Sequence, residues 1–178
     1  MVEQYRILEF FCGIGCMHHA LRYADIVNDY NTSKENFIQD VNVESKKDNV
    51  KVVESFDINP ICGDIYAHNF NNKQPSRTTI NILTEEKLLK YNANVWIMSP
   101  PCQPYTRTGS QKQSNDIRSN PLHHLCTLIP KLKPKKIFLE NVVGFESSDS
   151  RDELISILLN QSNDADYKFP MNVPVIIY

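Results

Sequence analysis

Apolar residues come in short runs separated by turn-forming and charged residues, and their spacing predicts strands alternating with helices. Arg6-Ile7-Leu8-Glu9-Phe10-Phe11 has the character of a strand, closed by the small-residue turn Cys12-Gly13-Ile14-Gly15, after which residues 16–23 read as a helix. Lys51 to Phe56 forms the next strand and ends at Asp57, and Pro60 suits the first turn of a helix reaching about Phe70. Further on, the pattern gives a short strand at Thr78–Ile80, a short helix at Glu85–Leu89 and a strand at Asn94–Met98. A helix at Pro121–Lys131 and a strand at Lys136–Leu139 follow, then a helix at Asp152–Asn160 with Leu154, Ile155, Leu158 and Leu159 on one face. Between about residues 26 and 49 the period dissolves into Asn, Asp, Ser, Lys and Glu, which reads as a flexible insertion.

Strands and helices alternating at this spacing indicate βαβ units, hence an α/β domain with a mostly parallel sheet. We take residues 1–160 as that domain and 161–178 as an irregular tail, whose apolar last residues read as a cut end. In parallel sheets ligands bind beyond the carboxyl ends of the strands. The Gly13 turn, Asp57, Asn81, Cys102 and Glu140 all fall at such ends, so one edge of the sheet is loaded with chemistry.

Composition narrows the reading in two ways. A formal net charge of −2 supplies no bulk positive field, so a nucleic-acid partner would be held by local basic groups. Five cysteines, an odd number and scattered, argue for reduced thiols in an intracellular protein, cytoplasmic or nuclear, rather than a disulfide framework. No run approaches the roughly 18 apolar residues of a membrane span, and the first six residues lack the pattern of a secretory leader.

The candidate chemistry centres on Ser99-Pro100-Pro101-Cys102-Gln103-Pro104. Prolines preset the backbone on either side of a thiol just past a buried strand, which is how a nucleophile is displayed. To attack, the thiol must ionise with help from positive charge, for which Arg107 and Arg118 are the nearby candidates. Glu140, at the end of the next strand, is placed to give a proton to a substrate nitrogen. The bland readings are a buried small hydrophobe for Cys102 and an ion-paired strand end for Glu140.

The Gly13-x-Gly15 turn has His18 where a dinucleotide fingerprint has its third glycine, and Asp57 follows about one βαβ step later. Together they suggest an adenosine ligand without a long phosphate tail; without function, they are a tight turn and an exposed carboxylate. Cys12, Cys16, His18 and His19 make a weak zinc pattern, and we expect no metal. Lys131, Lys133, Lys135 and Lys136 precede a strand, which places them at the opposite end of the sheet as a solvated loop. A thiol hydrolase would need His123 or His124 as a base beside Cys102.

Those same residues carry a family resemblance. Phe11-Cys12-Gly13-Ile14-Gly15, Met17-His18-His19-Ala20-Leu21, the loop from Ser99 through Gly109, Asp116-x-Arg118 and Glu140-Asn141-Val142-x-Gly144-Phe145-Glu146 resemble the cytosine-5 methyltransferases. Within them the likeness is to the branch, related to DNA methyltransferases, that modifies aspartate tRNA. The resemblance implies a Rossmann-like fold using S-adenosylmethionine, with Phe11, Gly13, Ile14, Gly15 and Cys16 against the cofactor. Asp57 would take its ribose, Ile58, Ile80 and Asn81 its base, and Ser99 would close the pocket.

It further implies Cys102 as the covalent nucleophile, Glu140 as the acid at ring nitrogen 3, and Gln103, Pro104, Arg107, Arg118 and Asn141 as substrate contacts. The implied partner is tRNA at anticodon-loop position 38, with DNA as the alternative. Departures are Cys16 for a usual glycine, Asn81 for a usual acid and Val143 for a basic residue common in that branch. We find no Arg-x-Arg strand, no target-recognition region and no C-terminal helix and strand completing the sheet. The expectation is therefore an incomplete domain, and a catalytically incomplete cofactor-binding fragment stands as the non-enzymatic alternative.

Overall fold

In a computed structural model, the protein is described at residues 4–22, 50–105, 117–162 and 175–177. The expected insertion and Arg107 therefore lie outside the described residues.

Strand β1 (Tyr5–Phe10) leads through the glycine turn into a helix over 16–22 (α1), then strand β2 (Val50–Phe56) and helix α2 (Pro60–Asn69). Helix α3 (Glu85–Leu89), strand β3 (Val95–Met98), helix α4 (Asn120–Leu132), strand β4 (Lys136–Asn141), helix α5 (Asp149–Ser162) and strand β5 (Val175–Ile177) complete the order. The sheet runs β2-β1-β3-β4-β5, with every pairing parallel. All four residues of β3 are buried, as expected of a central parallel strand covered on both faces.

Local chemistry sets the helix starts. Asn59 accepts hydrogen bonds from the Ile61 and Cys62 amides with Pro60 in the first turn, and Thr84 accepts from Lys87 to start α3. Phe10, Phe56, Trp96, Met98, Leu125 and Leu139 form the centre of the main core, between the sheet and helices α4 and α5.

Two expectations are corrected. Thr78–Ile80 is not a strand: Ser76 alone bridges Phe56, and Ile80–Ile82 forms a single 3-10 turn. The Ser76 hydroxyl donates to Thr78 Oγ1 (3.1 Å) and accepts the Thr78 amide (3.4 Å), which withdraws that amide from the ladder. The tail is not wholly irregular either, since Val175, Ile176 and Ile177 pair in register with Leu139, Glu140 and Asn141. The Lys136 end of β4 lies opposite the loaded edge, and Lys131, Lys133, Lys135 and Lys136 are all exposed there; the Lys136 Nζ also donates to the Tyr5 hydroxyl (3.0 Å) and sits over that ring.

Candidate active site

The carboxyl ends of β1 to β4 open on a cavity of about 670 Å³, inside the range of roughly 300–1,000 Å³ usual for small-molecule sites. One wall is the glycine turn. Phe11 takes a left-handed φ of 56°, uncommon outside glycine, and Gly13 follows at φ 51°. This sends the Gly13 amide to Asp57 Oδ2 (2.8 Å), while Asp57 Oδ1 accepts the Asn59 amide (2.8 Å). Two backbone donors thus aim the carboxylate, which keeps lone pairs for a further donor such as a diol.

The opposite wall is the cysteine loop. The Ser99 amide donates to the Phe10 carbonyl (3.3 Å), and the Tyr105 amide closes the loop on the Cys102 carbonyl (2.9 Å). The Ser99 hydroxyl donates to Glu140 Oε2 at 2.5 Å, fixing the acid. Buried Asn141 donates to the Pro100 carbonyl (3.2 Å) and accepts the Val142 amide (2.8 Å), tying the β3 loop to the end of β4. Cys102 is half-buried and lines the same cavity as Glu140.

Of the residues expected from sequence, the cavity brings together Phe11, Gly13, Asp57, Ile58, Ile80 and Asn81 on the turn side. It adds Ser99, Cys102, Gln103, Arg118, Glu140 and Asn141 on the loop side. Ile14, Gly15, Cys16 and Pro104 do not line it. Gly15 has a packing reason: at φ 91°, a Cβ there would come within 2.2 Å of the Phe70 ring. Phe56, Thr78, Thr79, Ile117 and Val142 line the cavity without having been singled out; their adjacency to Asp57, Ile80, Arg118 and Asn141 was the available signal. The lining offers a carboxylate for a ribose, the apolar faces of Phe11, Ile58 and Ile80 for a purine and the Asn81 amide for its edge. That set fits S-adenosylmethionine.

Under the turn lies a buried polar cluster that periodicity did not flag. Glu9, 1% exposed, accepts from the Tyr66 hydroxyl (2.9 Å) and the Ser55 hydroxyl (3.2 Å), and His18 Nδ1 is 2.7 Å from the Tyr66 oxygen. Glu9 Oε1 has no partner. Burial pushes Glu9 up to about 7 and pushes His18, stacked on Phe70, down to about 3. A glutamate inside the apolar run Ile7–Phe10 was the sequence sign. Burial also raises the Cys12 thiol, with Glu9 and Asp57 adding to it, and pushes the Cys126 thiol up to about 12, which removes both as competing nucleophiles.

Among the described residues no three His, Cys, Asp or Glu side chains gather to hold a metal ion, and no helix is long and apolar enough to cross a membrane. Neither histidine expected of a hydrolase lines the cavity: His124 Nε2 donates to the Leu83 carbonyl (2.7 Å), and His123 engages Glu153 and Ser150.

A parallel sheet whose first turn and second-strand acid face a cysteine loop defines a Rossmann-like fold of the S-adenosylmethionine-dependent methyltransferase class. The sequence profile described as C-5 cytosine-specific DNA methylase matches residues 5–174, and the chain belongs to that family. It is 36% identical to a DNA (cytosine-5)-methyltransferase of Dictyostelium discoideum over 90% of this chain and 38% of that protein. It is likewise 36% identical to the human tRNA (cytosine(38)-C(5))-methyltransferase over 89% of this chain and 36% of that one. The crystal structure of S. pombe Dnmt2 methyltransferase superimposes with a TM-score of 0.67 at 30% identity, covering 90% of this chain and 41% of that one. The chain thus spans well under half the length of the relatives it matches.

Proposed function

We propose that this chain carries the cofactor site and the nucleophile for S-adenosylmethionine-dependent methylation of cytosine carbon 5 in tRNA, at anticodon-loop position 38 of aspartate tRNA. The observation that carries this reading is that Cys102 and a Ser99-held Glu140 line one cavity with the Asp57–Gly13 wall.

Carbon 5 of cytosine is too electron-poor to take a methyl group directly. The Cys102 thiolate adds to carbon 6, and the electron pair of the 5,6 double bond becomes nucleophilic at carbon 5. Glu140, carrying a proton, donates to ring nitrogen 3 and offsets the charge arriving there. Asp57, Phe11, Ile58 and Ile80 would hold the cofactor, which when bound supplies the electrophilic methyl group. After transfer, solvent takes the carbon-5 proton, whose bonding pair re-forms the double bond and expels Cys102 as the thiolate. The base has to leave its stack to reach the cavity, which costs least in an unpaired loop; this favours tRNA over duplex DNA.

Bisulfite sequencing of tRNA and genomic DNA from cells with and without the intact gene tests the substrate. Loss confined to tRNA position 38 is expected, and loss confined to DNA overturns the assignment. With the purified protein, Cys102→Ala is expected to abolish methyl transfer and the covalent adduct while leaving S-adenosylmethionine binding measurable by calorimetry. A cytoplasmic or nuclear location follows from this substrate and is tested by imaging the tagged chain.

A further inference from the structure

The loop that carries Cys102 is anchored at Tyr105, whose ring is buried edge-on against Phe145 at 5.1 Å. Its hydroxyl donates to Ser150 Oγ at 2.9 Å. Ser150 Oγ lies 3.4 Å from His123 Nε2, and His123 Nδ1 contacts Glu153 Oε2. The chain of groups crosses from the loop to α5, to α4 and back to α5.

Hydroxyl, imidazole and carboxylate in this order have the connectivity of a hydrolytic triad. Ser150, however, is 1% exposed and neither it nor His123 lines the cavity, so no substrate reaches it. The donor and acceptor inventory gives the chain a direction instead. A carboxylate oxygen accepts, so the neutral His123 tautomer that pairs with Glu153 carries its hydrogen on Nδ1 and presents Nε2 as an acceptor. Ser150 then donates its hydrogen bond to Nε2 and accepts that of the Tyr105 hydroxyl on its oxygen. Each link fixes the next, and the last fixes the residue whose amide closes the Cys102 turn.

We propose that Glu153, His123 and Ser150 form a positioning relay that sets the placement of the Cys102 thiol through Tyr105. The proposal rests on the reading of Cys102 as the nucleophile but not on the identity of the nucleic acid. None of the three touches substrate; they act through the loop.

The test is the rate at which iodoacetamide alkylates Cys102 in the full chain, resolved by mass spectrometry, with exposed Cys16 and buried Cys12 as internal controls. Tyr105→Phe and His123→Leu are each expected to speed Cys102 alkylation threefold or more, with Cys16 and Cys12 labelled at wild-type rates. His123→Gln, which keeps a donor and an acceptor, is expected to return Cys102 to within about twofold of wild type. In methyl transfer the same two variants are expected to lower kcat about tenfold at unchanged KM for S-adenosylmethionine. An unchanged or slower Cys102 rate, or Cys12 labelling that rises in step with it, overturns the relay. A wild-type chain that transfers no methyl group to tRNA or DNA strikes the functional reading instead, and the alkylation rates still judge the relay.

Discussion

Glu9 and His18 show how burial sets protonation at single residues. Glu9 is raised from 4.5 to about 7, so its stabilising contribution is full below pH 4.5 and is lost as pH rises through 7. His18 is lowered from 6.5 to about 3, so its contribution is full above 6.5 and is lost as pH falls through 3. Between pH 4.5 and 6.5 the two slopes cancel, because folding in effect moves a proton from one to the other. Stability measured by urea unfolding is therefore expected to be nearly flat across that window. Glu9→Gln is expected to unmask the histidine slope, with stability falling from pH 6.5 downward. At pH 8 it removes an ionisation penalty of about 3 kcal/mol and leaves a buried amide unpaired at about 1–2 kcal/mol, a net gain of about 1–2 kcal/mol. A variant whose stability does not change with pH below 6.5 would contradict the assignment.

Ser99 offers the corresponding catalytic prediction. Its hydroxyl donates to Glu140 Oε2 at 2.5 Å, and removing it leaves that part-buried acceptor unpaired, at about 1–3 kcal/mol. Ser99→Ala is expected to lower kcat about 10- to 100-fold with KM for S-adenosylmethionine changed little, measured by tritiated methyl transfer. Cys102, Glu140 and Asp57 were legible in the sequence because each ends an apolar run, where a parallel sheet concentrates its chemistry. Ile14, Gly15 and Cys16 were assigned to the cofactor on the same turn but do not line the cavity. The path of that turn depends on the left-handed Phe11 and on Phe70, 55 residues after Gly15, and no local pattern encodes either.

At the level of elements, the strands and helices that periodicity gave were recovered with ends shifted by a few residues, since caps such as Asn59 and Thr84 are local signals. The Thr78–Ile80 strand failed because side-chain hydroxyls competed for the backbone, and β5 was missed because a three-residue strand carries too little period to register. The strand order was not readable at all, as it depends on contacts between distant segments. Gly144, just past β4, packs closely against the Cys102 loop: a Cβ there would lie 2.1 Å from the Tyr105 carbonyl oxygen. Gly144→Ala must displace backbone rather than a flexible side chain, and is expected to destabilise the fold by about 2–4 kcal/mol. The urea midpoint measures this.

For the whole molecule, a ligand that binds only the folded state stabilises it by mass action. S-adenosylmethionine at 100 times its Kd is expected to add about 2.7 kcal/mol, which for a chain of this size raises Tm by about 5–11 °C. Asp57→Ala is expected to erase most of that rise at the same ligand concentration, while Glu140→Gln, across the cavity, is expected to keep it. A thermal shift that survives Asp57→Ala would move the ribose elsewhere.

The left-handed backbone of Phe11 carries a consequence of its own. A residue with a full side chain pays on the order of 1 kcal/mol to sit at φ 56°, and glycine would sit there at ease. A library selected for heat tolerance alone is thus expected to drift toward glycine at this position, shedding an aromatic surface the ligand would rest on. Selection for turnover should hold the phenylalanine against that drift, so passaging the gene under each regime would reveal which demand the strained site serves.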